Sequence, residues 1–291
     1  MKYWVYIVLF LTLFSCEKEI ALDDVYFTKK LVLNTFLEAD SSFIILLSTS
    51  VNTLSNPTEV TLNGEAHVLL MNDAIPIYNN KAEVINGRIS LPLHCLKGEK
   101  YTLELSYEDY ATVRATDMVP AVTPSIAIDT AIDNGDKIKI RFTLIDPAGT
   151  NKYFLQLKSK GKEVNGSDTL STVKALDFSS SDKLFFSNLL TYNSTSSYAL
   201  FDDELLNGTT RQFEIEIAKS ALYKSRYIPE DILLQVNCVS EIMYSYYVSL
   251  LENTHIYGGP LSSVSRQNGN VERGLGAFCF YTAARDSVTI R

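Results

Sequence analysis

The chain has 291 residues and is poor in the residues that carry most recognisable chemistry. It holds three histidines, His67, His94 and His255. None has a second His or a Cys at metal-ligand spacing, and no His-Glu-x-x-His occurs, so no metal and no cofactor is expected. There is no Gly-x-Ser-x-Gly elbow, no phosphate-binding P-loop and no dinucleotide fingerprint. Gly274-Leu275-Gly276 is a fragment of a glycine-rich loop, but a strand rather than a helix is expected after it, which disfavours phosphate binding. Basic residues are outnumbered 26 to 34, for a net charge of -8. With no basic stripe, nucleic acid is excluded as a partner. The one long apolar run, Trp4 to Phe14, is too short at 1.5 Å per residue to span a hydrocarbon core about 30 Å thick.

Cysteine is also scarce: Cys16, Cys95, Cys238 and Cys279. None forms the close pairs of a zinc site. Cys238 and Cys279 both fall in expected buried strands, and an oxidising compartment would permit a disulfide between them. The alternative is that all three downstream cysteines are small buried hydrophobes.

What is present begins at the first residues. A basic start, Met1-Lys2, leads into WVYIVLFLTLF, then the small residue Ser15, then Cys16, after which the chain turns polar. These are the parts of a secretory signal. Leu13-Phe14-Ser15-Cys16 resembles the lipobox of bacterial lipoproteins, which implies cleavage between Ser15 and Cys16 and acylation of Cys16. An ordinary signal peptide with a coincidental Cys is the alternative. On this reading residues 1–15 are the signal and 16–30 a tether. Glu17, Glu19 and Asp23-Asp24 resemble the acidic export signal of surface lipoproteins in Bacteroidota-type bacteria; a solvated linker would look the same. Because the surface is acidic, attachment to a membrane must come from the lipid.

From Leu31 to residue 120 the chain reads as short strands and turns. Asn86-Gly87 between two apolar segments is a two-residue hairpin signal, because both positions tolerate a positive φ. Tyr101, Leu103, Leu105 and Tyr107 alternate with Thr102, Glu104 and Ser106, the period of a half-buried strand. The spacing predicts a sandwich of immunoglobulin-like or transthyretin-like type over 31–120. Pro120 and Pro124 mark a boundary. Residues 121–291 are expected to form a second β-rich domain. In it Ile138, Ile140, Phe142 and Leu144 alternate inward, and 161–172 is a polar loop. Ser240 caps one amphipathic helix over about 240–253, with Met243, Tyr246, Tyr247, Leu250 and Leu251 on one face. The fold class is therefore mainly β.

Asp202-Asp203-Glu204 with Asn207 could offer oxygens to calcium but lacks the alternating ligand spacing of a calcium loop, so a solvated turn is expected. His94-Cys95 are neighbours on a strand and point to opposite faces, against a catalytic pair. Asp168-Thr169-Leu170 resembles the Asp-(Ser/Thr)-apolar sites O-glycosylated on exported Bacteroidota-type proteins, with Thr169 as the acceptor. Asp129-Thr130-Ala131 and Asp286-Ser287-Val288 have the same form, and such triplets also arise by chance.

Several stretches in order resemble one family, the Bacteroidota-type lipoproteins of domain-of-unknown-function family 4249. They are Ser15 to Ile20, Leu31-Val32-Leu33-Asn34, Gly98 to Leu103, Asp146-Pro147-Ala148-Gly149 with Tyr153, Phe201 to Gly208, Ser240 to Leu251, and Gly274 to Phe278. The departure is Tyr257-Gly258-Gly259-Pro260, where members more often carry an Asn-Pro-Phe-like stretch. The resemblance implies an accessory of a TonB-dependent outer-membrane transporter and brings no catalytic residues. The expected function is a non-catalytic binding module, lipid-anchored to the outer membrane of the cell envelope and surface-exposed. The alternatives are a structural or adhesive surface protein, and a carboxylate-dependent hydrolase whose paired carboxylates only a structure can reveal.

Overall fold

A computed structural model describes residues 28–51, 61–165, 168–185, 196–224, 226–256 and 267–290, with backbone alone for Asn165 and 252–256. In chain order the strands of the first half are β1 Leu31–Glu38, β2 Ser42–Thr49, β3 Gly64–Asn72, β4 Ile75–Val84, β5 Arg88–His94, β6 Lys100–Tyr107 and β7 Val113–Met118. Next come β8 Ser125–Asn134, β9 Lys137–Ile145, β10 Lys152–Asn165, β11 Asp168–Leu176, β12 Tyr198–Asp202 and β13 Thr210–Ala218. A single helical turn, α1 Lys219–Leu222, leads to β14 Tyr227–Val239. The helix α2 Glu241–Ile256 and the long final strand β15 Leu275–Thr289 complete the chain. The mainly β class read from the sequence is borne out.

Among the described residues the strands form three sheets. The largest runs β11-β10-β14-β15-β1-β2-β5, with β12 beside β11 on the same edge of β10; the others run β13-β9-β8 and β4-β3-β6-β7. The first core lies between the β4-β3-β6-β7 sheet and the β1, β2, β5 end of the large sheet. It is filled by Phe43, Ile45, Val68, Leu70, Tyr101, Leu103 and Leu105 among others. The second lies between the three-stranded sheet and β10, β12 and β14, around Phe142, Phe213, Tyr153, Phe201 and Val236. The alternations expected at 101–107 and 138–144 point into these cores, since Tyr101, Leu103, Leu105 and Tyr107, and Ile138, Ile140, Phe142 and Leu144, are all buried. Thr102 is buried as well, its hydroxyl bonded to that of Thr116 at 2.9 Å. Asn86 and Gly87 have φ of 50° and 72°, the positive pair that a tight hairpin between β4 and β5 demands.

β15 joins the halves. Val32 to Glu38 of β1 pair in parallel with Leu275 to Tyr281, and Val239 to Asp231 of β14 pair antiparallel with Tyr281 to Thr289. Phe278 and Phe280 belong to the first core, while Val288 packs on the second. The last strand therefore completes a core begun nearly 250 residues earlier in the chain (Arg285 and Glu38, 247 apart, form an ion pair across this seam). Parallel pairing at the start of β15 requires close backbone approach. Gly276 has φ of +91°, and a Cβ there would sit 2.0 Å from the Leu33 carbonyl oxygen, so no other residue fits.

On the opposite face of the large sheet, α2 covers Phe154, Leu200, Val239, Ala277 and Cys279 with Met243, Tyr244 and Tyr246. The Ser240 hydroxyl accepts from the Met243 N–H at 3.2 Å, the expected N-cap. Of residues 161–172, expected as a polar loop, 161–165 and 168–172 are instead arms of the β10–β11 pair, in unbroken register from Leu157↔Leu176 to Asn165↔Asp168. Polar side chains mislead here because both faces of this hairpin are wet, so the period of two has no apolar row to show it.

Candidate functional site: the cleft at the seam of the two cores

The end of β7 and the segment after it, the 148–152 turn, and the junction of β14 with α2 enclose a cleft of about 590 Å³. Met118, Pro120, Val122, Ala148, Val239 and Ile242 give it an apolar lining, with Lys100, Lys152 and Glu241 adding charges. Each wall has a local cause. Pro120 cannot continue the β7 ladder, and the Thr282 hydroxyl donates to the Val122 carbonyl at 2.5 Å, tying this linker to β15. Ser240 ends β14 by capping α2 and donates its own N–H to the Phe280 carbonyl at 3.0 Å.

Asp117 is the chemically distinctive group. It is on β7 and only 6% exposed, and its Oδ2 accepts the Phe280 N–H at 3.1 Å. Burial pushes its carboxyl up to about 6, against the opposing pull of the Ser240 hydroxyl and the Met118 and Phe280 N–H groups. It is thus a buried acid that changes charge in the mildly acidic range. Lys152 lies 3.6 Å from Asp202 and over the Tyr244 ring at 5.0 Å, which orients its ammonium group beside the cleft.

The 148–152 wall is held from behind by a buried polar knot. Asp203 is 2% exposed and its Oδ2 accepts the Asn151 N–H at 2.8 Å. Asp146, 4% exposed, accepts the Tyr153 hydroxyl and the Gly208 N–H, the latter at 2.7 Å. The Asn151 amide donates to the Pro147 carbonyl at 2.9 Å, and the Asn207 amide oxygen accepts the Gly149 N–H at 3.0 Å. Burial, and then the Asp146 carboxylate, drive the Tyr153 phenol far above its usual range, so it remains a donor. The acidic turn at 202–207 is therefore not simply solvated: Asp203 faces inward and pins two loops together. Its Oδ2 accepts from the Asn151 backbone and amide N–H groups. Among the described residues no group of three or more His, Cys, Asp or Glu is arranged to hold a metal.

The other sequence-derived candidates are dispersed. Ser15 and Cys16 lie outside the described residues. Cys95, Cys238 and Cys279 are free and buried. The Cys238–Cys279 bridge that an oxidising compartment would permit is not formed in this structure. Cys238 pairs in register with Thr282 and faces the second core, whereas Cys279, three residues before Thr282, faces α2 on the other side of the sheet. Burial holds the Cys238 thiol up at about 12, the state of an inert core thiol. Thr169 is exposed on β11. His67 and His94 are exposed, and Cys95 beside His94 turns inward to donate to the Glu38 carbonyl at 2.9 Å. Asp117 was not singled out by sequence reasoning. The only signal is an acid at a position of β7 that alternation assigns to the interior, with Val113 and Ala115.

The sequence profile of the domain of unknown function DUF4249 matches residues 17–287. This chain belongs to that family. No curated protein matches it. Among solved structures it is similar to a protein of Corynebacterium diphtheriae that is described, by inference, as membrane anchored. The identity is 12%, with 87% of this chain and 58% of that one covered, so this chain spans less than two thirds of that protein's length. The TM-score of 0.20 leaves that similarity without weight for fold or function.

Proposed function

We propose that this is a lipid-anchored protein of the cell envelope whose β-rich body is a non-catalytic binding module. The lipid is carried by Cys16, which becomes the N-terminus after cleavage at Ser15-Cys16. The tether 16–30 then leads to β1, and the seam cleft offers the body's ligand site, with apolar walls and the buried Asp117. An outer-membrane location beside a TonB-dependent transporter is the setting that the family resemblance supports. The single observation that carries the reading is the sequence Trp4 to Cys16: a signal-length apolar run ending in a small residue and a Cys. The described part of the chain has no helix long and apolar enough to cross a membrane.

The test is Cys16→Ala in the full-length protein. The variant is expected to fold, to leave the membrane fraction and to stop incorporating labelled fatty acid. A variant that still sediments with membranes and still carries label would overturn the anchor. Affinity purification of the wild type from detergent-solubilised membranes tests the partner, and repeated recovery without any outer-membrane transporter counts against it.

A further inference from the structure

The edges of the sheets differ in how they are protected. An unpaired strand edge is a template for another chain, and proteins blunt such edges with proline, bulges, cover or shortness. β4 carries Pro76 and a register shift at Leu70/Met71, and β5 carries Pro92. β8 has a register shift at Ile128/Thr130. The outer sides of β7 and β13 are partly closed by the bridges Arg114↔Glu272 and Ser179↔Glu216. β12 is five residues long and largely buried. β11 has none of these devices. Its nine residues, Asp-Thr-Leu-Ser-Thr-Val-Lys-Ala-Leu, contain no proline, and its register with β10 has no irregularity. Among the described residues nothing pairs with its outer side. Residues 168–171, 173 and 175 are exposed, Thr172 and Lys174 are half-buried and only Leu176 at the end is buried; the apolar Leu170 and Val173 are 68% and 54% exposed.

We propose that β11 is a self-association edge, at which a second copy of this chain pairs antiparallel about a two-fold axis passing through Ser171. Three features of the strand select this occupant and this register. Because the ladder with β10 closes on Asn165↔Asp168, the backbone groups of Asp168, Leu170, Thr172 and Lys174 are directed at β10. Those of Thr169, Ser171 and Val173 point outward, since alternate residues of an antiparallel strand bond to opposite sides. Pairing centred on Ser171 therefore sets outward-pointing residues against each other: Ser171 meets its own copy, and Thr169 meets Val173 of the second copy, twice by symmetry. The side chains agree with this. In that register Asp168 lies opposite Lys174 at both ends, so unlike charges meet and no like charges do. Thr169 against Val173 is a β-branched cross-strand pair of the favourable kind. An interface of this kind is isologous and closes at two copies, so it does not propagate into a fibre. In the single chain the Lys174 ammonium is turned inward over β10 and β14, 3.1 Å from Glu163 and 4.6 Å from the Tyr227 ring centroid, so it exchanges these contacts for Asp168 of the second copy on association.

This inference does not rest on the lipid anchor or on the seam cleft. The test is disulfide trapping in the purified protein carrying Cys16→Ala, where the remaining Cys95, Cys238 and Cys279 are buried and do not compete. Ser171→Cys places two thiols across the axis, within the Cα separation of under 7 Å that a disulfide needs. Thr169→Cys places them four residues apart along the strands, roughly 13 Å at 3.3 Å per residue, beyond reach. Mild oxidation is expected to convert Ser171→Cys to a species of twice the mass on non-reducing gels and to leave Thr169→Cys monomeric. Adding Val173→Pro, which removes an outward donor while sparing the ladder to β10, is expected to abolish the Ser171→Cys product. If Ser171→Cys stays monomeric, if both single variants cross-link equally, or if Val173→Pro changes nothing in a variant shown by circular dichroism to be folded, the proposal fails.

Discussion

The two cores are closed by different means. The first is almost wholly apolar, with Phe43, Tyr101 and Phe280 in mutual edge or tilted contact at 5.0 to 6.0 Å, but it lacks a strand of its own and borrows β15 from the far end of the chain. The second draws most of its strands from consecutive sequence, yet it fastens its loops with buried polar groups, Asp146, Asn151, Tyr153 and Asp203. An apolar core is non-directional and tolerates imported side chains of the right volume. A buried polar knot is directional and holds only when every member is satisfied. The first core should therefore be sensitive to volume and to the fate of β15, and the second to the loss of single hydrogen-bonding partners.

The largest expected effect tests whether the cores are separable. Phe280→Ala empties the centre of the first core and should cost about 3–5 kcal/mol. Because β15 also pairs with β14, urea unfolding followed by circular dichroism is expected to remain a single transition shifted to lower denaturant. Two transitions, with the second core surviving alone, would show that β15 does not couple the halves. Next, Asp203→Ala strands the Asn151 N–H in a buried site and should cost about 2–3 kcal/mol. Hydrogen exchange should rise at 146–153 and 202–208 but not in β2 or β6. Uniform loss of protection would erase the distinction between the cores.

Asp117 sharpens the comparison at the seam. Its folded-state pKa, about 6, stands above the ordinary 3.8, so its ionisation opposes folding at neutral pH. The stability it withholds returns as pH falls through 6 and is fully regained below 3.8. The amount is on the order of 3 kcal/mol. The stability difference between wild type and Asp117→Asn should therefore change between pH 7 and pH 4, measured by urea midpoints; a constant difference would remove Asp117 as the titrating group. The smallest effect is expected for Arg285→Ala. Its pair with Glu38 spans β1 and β15 but is half-exposed, so its loss should cost about 0.5 kcal/mol and less in high salt.

Periodicity was enough to place Tyr101 to Tyr107 and Ile138 to Leu144 on their buried faces, Asn86-Gly87 in its hairpin and Ser240 at the head of α2. Each depends on neighbours within a few residues, and the information is local. The Trp4 to Cys16 stretch is likewise legible only as sequence, since the described structure starts after it. What required the tertiary structure were the facts set by residues far apart: β15 beside β1, Cys238 and Cys279 on opposite faces, Asp203 turned inward, and Asp117 buried at the seam. A strand's partner and the dielectric around a carboxyl depend on which distant surfaces meet it, and no local pattern of residues records that. Side-chain alternation could show that β11 exists only if one of its faces were dry. Only the assembled sheet shows that it is a strand, and that no described residue pairs with its outer edge.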